Sequence, residues 1–292
     1  MTDPNEIDAR ASLFMKEGIR LMQVGNDANA ALLCFDRALD LRRRLPTSVP
    51  VHAYGLAACW LNRAEALTTL APDRHADSLA AYDEALALLR MLPLSDDARF
   101  PRRLAIALQN RALVLVAQNP PATLEAAVAL TDAIEVLNHA DAMEASDREF
   151  LLATVWMNLA NIQASESAAR RALELVKMQE HEDAAAAAVG LKARHVLCQI
   201  AAQRLSVMAQ GDTVMANVHN ATDLADEGLA LIREWERRGV DRFRNLASDL
   251  FRFGARIYAE YQPQFLQEFL SEQPDPQRQD AAREIAFLLP TS

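Results

Sequence analysis

The chain has 292 residues, 51% of them hydrophobic and only 6% aromatic, with a net charge of −10. That balance argues against nucleic acid as the main partner, because gripping phosphates needs a concentrated basic surface. The polar, acidic start MTDPNEIDAR, the lack of any run near 18 apolar residues and the three distant cysteines (Cys34, Cys59, Cys198) predict a cytoplasmic chain with no membrane span.

Glycine is scarce (8) and proline modest (12), so long regular elements are expected. The prolines fall between apolar stretches, where helices stop or start. In chain order the 3.6-residue periodicity predicts helices near 8–24, 27–45, 51–71, 75–92, 100–118, 122–139, 148–165, 166–182, 184–209, 213–238 and 241–261. The segment PQFLQEFL (263–270), with a last helix opened by Asp275-Pro276 and ending near Leu289, is expected to cap the array. The basic run Arg42-Arg43-Arg44 falls at a helix C-terminus, where it complements the helix dipole, and EHED (180–183) reads as a solvated turn.

These helices alternate between two types. One type repeats FDRALDLRRRLPTS (35–48) as YDEALALLRMLPLS (82–95), 47 residues on, and more loosely as LTDAIEVL, ARRALELV and ADEGLALI, with small residues at Ala38, Ala85, Ala133, Ala172 and Gly228. The other type carries a bulky residue and a small one four later: Phe14/Gly18, Trp60/Ala64, Leu108/Ala112, Trp156/Ala160 and Leu250/Gly254. The small residue lets a second helix come close, and Trp60 and Trp156 are expected to be largely buried between repeats. The phrase Asn-Arg-Ala at 62–64 returns at 110–112, and Asn158-Leu159-Ala160 echoes it.

This alternation resembles the tetratricopeptide repeat (TPR) superfamily, in a variant longer than usual at 47–48 residues per repeat. The matching positions are Trp60, Ala64, Tyr82 and Ala85, then Trp156, Asn158, Leu159 and Ala160. The resemblance implies an all-α fold, an α-solenoid of antiparallel helical hairpins wound as a TPR-like superhelix. The array would span 1–261 in five to six hairpins, with capping helices over 262–292.

The resemblance also implies that the first helix of each hairpin lines a groove. The residue two before the small one then points into it: Asn62, Asn110 and Asn158. Each amide offers a donor and an acceptor, as a peptide backbone does. Glu65, Leu113, Met157 and Asn161 are expected beside them as groove residues. Arg63 and Arg111, where the family usually has leucine, are expected to pair with acids across repeats or to lay their stems through the packing. A chaperone carboxylate clamp is excluded, since Met15, Ile19, Ile106 and Asn110 hold its places.

No phosphate loop, metal-ligand spacing or nucleophile motif is present in the sequence, and His195 with Cys198 supplies only two ligands. The expected function is therefore a non-enzymatic module, without cofactor or metal, that binds an extended protein or peptide segment. The alternatives are a self-assembling scaffold, using Phe265, Phe269, Phe287 and Leu288 to form a homo-oligomer, and a sensor that changes curvature on binding a small peptide or metabolite.

One interval is out of step. The small residues of paired helices lie 21 apart in the second and third hairpins, but Ala160 and Ala172 lie only 12 apart. No Gly, Pro or Asp between Ser165 and Ala172 turns the chain. Either one helix runs unbroken from about 155 to 178, or a turn of about nine residues is missing between Ser165 and Glu166. The packing residues kept on both sides favour the missing turn.

Overall fold

A computed structural model describes residues 3–70, 74–206 and 212–271. Among the described residues the chain is all-α: α1 (Pro4–Arg20), α2 (Ala28–Arg42), α3 (Pro50–Leu70), α4 (His75–Arg90), α5 (Arg99–Ala117), α6 (Thr123–Asn138), α7 (Ala145–Gln163), α8 (Glu166–Val176), α9 (Ala184–Leu205), α10 (Asp212–Arg237), α11 (Arg244–Tyr261) and α12 (Pro263–Ser271), with a π-helical turn at Leu21–Gly25. None of these helices is long and apolar enough to cross a membrane. The helix expected to end near Leu289, with Phe287 and Leu288, lies outside the described residues.

The chain divides into two compact units, 1–151 and 152–292, and the division falls inside α7. Within the first unit each helix packs on the next from α1 to α6, and the first helices of successive hairpins also touch, α1 with α3 and α3 with α5. Within the second, α8 packs on α9, α9 on α10, α10 on α11 and α11 on α12. Each unit is thus a run of antiparallel helical hairpins, the solenoid arrangement expected from the sequence.

The small residues do what their phase predicts. Ala38, Ala64, Ala85, Ala112, Ala133, Ala160 and Ala172 are all at 0% exposure. At Gly18 even a methyl is too large, since an added Cβ would sit 2.4 Å from the Phe35 ring. Trp60 and Trp156 are only half-buried. The indole of Trp60 packs against the core of α1–α3 on one side. Arg43 and Arg63 lie over its ring at 5.0 and 5.7 Å, so cations replace the apolar cover expected there.

The fourth hairpin does not continue as one helix, and it closes without the nine-residue turn expected between Ser165 and Glu166. It turns in two residues. Ala164 takes a left-handed conformation (φ 49°), and the Ser165 N–H donates to the Ala160 carbonyl at 3.1 Å, closing α7 with a Schellman-type bond. The Ser165 hydroxyl then accepts from the Ala168 N–H at 3.4 Å, capping α8. The first hairpin turns alike: Asn26 is left-handed (φ 45°) and Asp27 caps α2 by accepting from Ala30 N–H at 2.9 Å. The shortened spacing reflects a tight turn and a short α8.

Two further readings are corrected, at Glu180 and Phe269. Arg42 does close the last turn of α2, and it is buried at 8% exposure. Its guanidinium donates to Asp8 (2.9 Å), Ser12 (3.0 Å) and the Gly55 carbonyl (2.8 Å), knitting α1, α2 and α3 together where the second hairpin buries Leu89. Glu180 of EHED is 2% exposed and holds Arg194 with bonds of 2.7 and 2.9 Å. Gly190 makes room for it, because an added Cβ would lie 2.3 Å from the Glu180 Oε2. Phe269 is buried at 5% against Phe251 and Tyr258, which removes it from the surface proposed for self-assembly; Phe265 remains 48% exposed.

Because a β-carbon in the left-handed region costs about 1–2 kcal/mol, Ala164→Gly is expected to stabilise the second unit by roughly 0.5–1.5 kcal/mol in urea denaturation. A loss of stability would contradict the turn described.

Candidate functional site

On α3 the outward stripe runs through Tyr54, Asn62 and Glu65, and on α5 through Arg103, Asn110 and Leu113. Spacings of three, seven and eight residues keep each set on one helical face. The buried residues of the same helices, such as Ala57, Ala64, Leu108 and Leu115, lie on the opposite side. Since α3 and α5 touch, the two stripes adjoin.

Each predicted residue has a definite place. Glu65 is exposed, and Leu113 is 45% exposed. Asn62 is half-buried and donates to the Ala58 carbonyl of its own helix at 2.8 Å. Asn110 is half-buried and bonds the hydroxyl of Tyr82 beneath it. Burial pushes the Tyr82 hydroxyl well above the usual tyrosine range, the charge of Glu65 adds to this, and the bond from Asn110 opposes it. Both amides therefore serve the fold, yet each keeps one N–H and acceptor capacity unspent. In the second unit, on α7, Asn158 is half-buried and Asn161 exposed. Met157 is 6% exposed and belongs to the packing, not to a binding face. One turn of α7 carries apolar residues on most of its circumference, so its inner and outer faces were not separable by hydrophobicity.

Sequence reasoning missed the Tyr54–Arg103 pair. The Arg103 guanidinium lies 5.5 Å from the Tyr54 ring centre and donates to its hydroxyl at 3.2 Å. Arg99 lies over the same ring at 5.6 Å but is committed to Asp97, and Arg102 to Asp147 at 2.9 Å. Among the described residues Arg103 meets no carboxylate, so it is a held cation with N–H groups to spare. The signal was the string FPRRL (100–104) on the same stripe as Asn110.

Arg63 and Arg111 do pair across repeats. Arg63 Nε donates to Asp36 at 2.8 Å, and Arg111 donates to Asp83 at 2.8 Å and to Glu125 at 2.7 Å. Asp36 and Asp83 are the aspartates of FDRAL and YDEAL, and the arginines are those of the two Asn-Arg-Ala phrases. Burial works against the Arg111 charge, but its two carboxylates outweigh it and its pKa is raised. The third repetition holds Thr131 and Leu159 at these positions, so both members of the pair are replaced together.

His195 and Cys198 do not converge. His195 Nε2 pairs with Gln199 at 2.9 Å, while the Cys198 thiol faces the Ala221 carbonyl. Burial pushes that thiol up to about 12, with the Arg194 charge pulling the other way. Among the described residues no group of three or more His, Cys, Asp or Glu is arranged to hold a metal.

No protein-family model matches this chain, and no curated protein matches it. Solved structures do. One is Nro1, a nuclear import adaptor of S. pombe, with a TM-score of 0.60 and 12% identity over 97% of this chain and 100% of that one. Another is BtubC (BKLC) from P. vanneervenii, with a TM-score of 0.56 and 17% identity over 87% of this chain and 91% of that one. At such identities the likeness shows the fold alone: this is an all-α helical-repeat protein.

Two outcomes follow. In the double-mutant cycle of Arg111→Ala with Asp83→Ala, the coupling should be about 0.5–1 kcal/mol and shrink in high salt; zero coupling at low salt would deny the pair. At pH 8 in native buffer, iodoacetamide should modify half-buried Cys34 while sparing Cys59 and Cys198, which are at 0% and 1% exposure.

Proposed function

We propose that this chain is a non-enzymatic, TPR-like binding module that holds an extended peptide segment against the outward stripes of its first helices. The observation that carries this reading is the adjoining pair of stripes on α3 and α5. They combine polar amides (Asn62, Asn110), opposite charges (Glu65, Arg103) and an exposed leucine (Leu113) on a rigid base. No described element covers them. An amide suits a peptide backbone without reading its sequence, Leu113 suits an apolar side chain, and Arg103 suits a carboxylate on the guest. Asn158 and Asn161 give α7 a separate face of the same chemistry.

The net charge of −10 favours a protein or peptide partner over nucleic acid. The likeness to a nuclear import adaptor supports an adaptor type of role, as an analogy of fold. The absence of a catalytic motif in the sequence supports binding without turnover.

Peptides selected on the full chain by display and titrated by fluorescence polarisation test this. Asn62→Ala and Asn110→Ala should each weaken binding by about 0.5–1.5 kcal/mol, the net worth of a neutral hydrogen bond. Arg103→Gln should weaken acidic peptides more than neutral ones, and Asn158→Ala reports on the α7 face alone. Unchanged affinity in the Asn62→Ala/Asn110→Ala double variant, with thermal stability intact, would sink the reading.

A further inference from the structure

The first unit carries a second surface, on the other side of α3 and α5 from the stripes just described. Between α2 and α4, floored by α3, lies a groove of about 390 Å³. Between α4 and α6, floored by α5, lies another of about 220 Å³. They are lined from equivalent positions. Every residue lining the second has a counterpart in the first 47 or 48 residues earlier.

Repetition of the fold alone would give two grooves, but not two grooves of one charge pattern. The carboxylates Asp36, Asp77 and Glu84 return as Asp83, Glu125 and Asp132, and the arginines Arg43 and Arg63 return as Arg90 and Arg111. Outside the grooves the repeat does not keep charge: Arg44 becomes Met91 and Glu65 becomes Leu113. Internal pairing explains only part of the pattern. Asp36–Arg63 and Asp83–Arg111 are matching bonds. Arg43 lies over Trp60 and reaches Asp40 of its own helix at 3.9 Å, while its counterpart Arg90 pairs with Asp132 of α6 at 3.3 Å. The sign is kept although the intramolecular partner is not.

In each groove carboxylates outnumber arginines. The first adds Asp40 as a fourth acid; Arg74, outside the lining, holds Asp77 at 2.9 Å, and the Glu84 carboxylate meets no cation among the described residues. Both grooves are open to solvent and carry excess negative charge. We infer that the paired grooves form a docking surface for a basic, extended segment of a partner protein, one cationic side chain entering each groove. The pattern stops after two: the next set of positions offers Thr131, Asn138 and Leu159.

The test uses the full chain and synthetic peptides of nine residues, with lysines at the second, fifth and eighth positions among serine and alanine. The control carries glutamate at those positions. Binding is followed by amide and indole chemical shifts at low salt. The lysine peptide should shift the Trp60 indole N–H and bind more tightly than the glutamate control. Glu84→Gln and Asp132→Asn should each weaken it about two- to fivefold, the range for exposed ion pairs. Both variants change one charge on an exposed side chain, so the fold is preserved; Asn62→Ala should leave this binding unchanged. Equal binding of the glutamate peptide, or no effect of the two neutralisations together, would overturn the proposal.

Discussion

Close helix contact is the constraint on which this architecture rests. Two helices can come within about 8–10 Å only where the residues between them are small. Here that place is reserved, in every hairpin, for a residue no larger than alanine. The alanines that fill it are fully buried, and at Gly18 the Phe35 ring occupies the space a β-carbon would need. Because one face of each first helix is committed to this contact, the opposite face is left outward. The stripe of Asn62 and Glu65 and that of Asn110 and Leu113 are therefore consequences of the packing rule. So are the grooves on the other side, which open between successive second helices.

Charge adds a second level of order. Aspartate in one hairpin and arginine in the next form bonds at the same register twice, Asp36 with Arg63 and Asp83 with Arg111. Each bond is worth little in isolation, since both partners keep contact with water. Their value is in holding long side chains at fixed places on the surface. Arg42 and the Glu180–Arg194 pair differ in being buried. There, removing one partner would leave a desolvated charge, so these nodes tie their helices to a single arrangement.

The periodic part of this structure was legible from sequence. Alanine and bulky residues recur in phase, and helix boundaries from α1 to α11 follow within about four residues, except that α8 stops at Val176 where 182 was expected. What failed was whatever lacked a periodic or compositional mark. The turn at Ala164-Ser165 uses a left-handed alanine, which no propensity rule flags, and its serine had been counted as the end of α7. Arg42 was legible as a cation at a helix end but not as a buried one, because the groups it bonds lie far away in sequence, at Asp8, Ser12 and Gly55. Glu180 depends on a partner 14 residues on and on a glycine, Gly190, with no local signal. For the candidate site, Asn62, Asn110, Glu65 and Leu113 were placed on the outward face by the repeat register, whereas Met157 turned inward. The Tyr54–Arg103 pair joins two repeats and was invisible to a reading of either alone.

The central claim is that the outward stripes of α3 and α5 receive a peptide backbone. The most direct measurement is the shift of side-chain amide resonances in a selectively Asn-labelled chain as a display-selected peptide is added. The account predicts that the signals of Asn62 and Asn110 move together, with a single binding curve, while those of asparagines elsewhere, such as Asn138, stay fixed. Movement confined to other asparagines, with Asn62 and Asn110 unchanged at saturation, would contradict it.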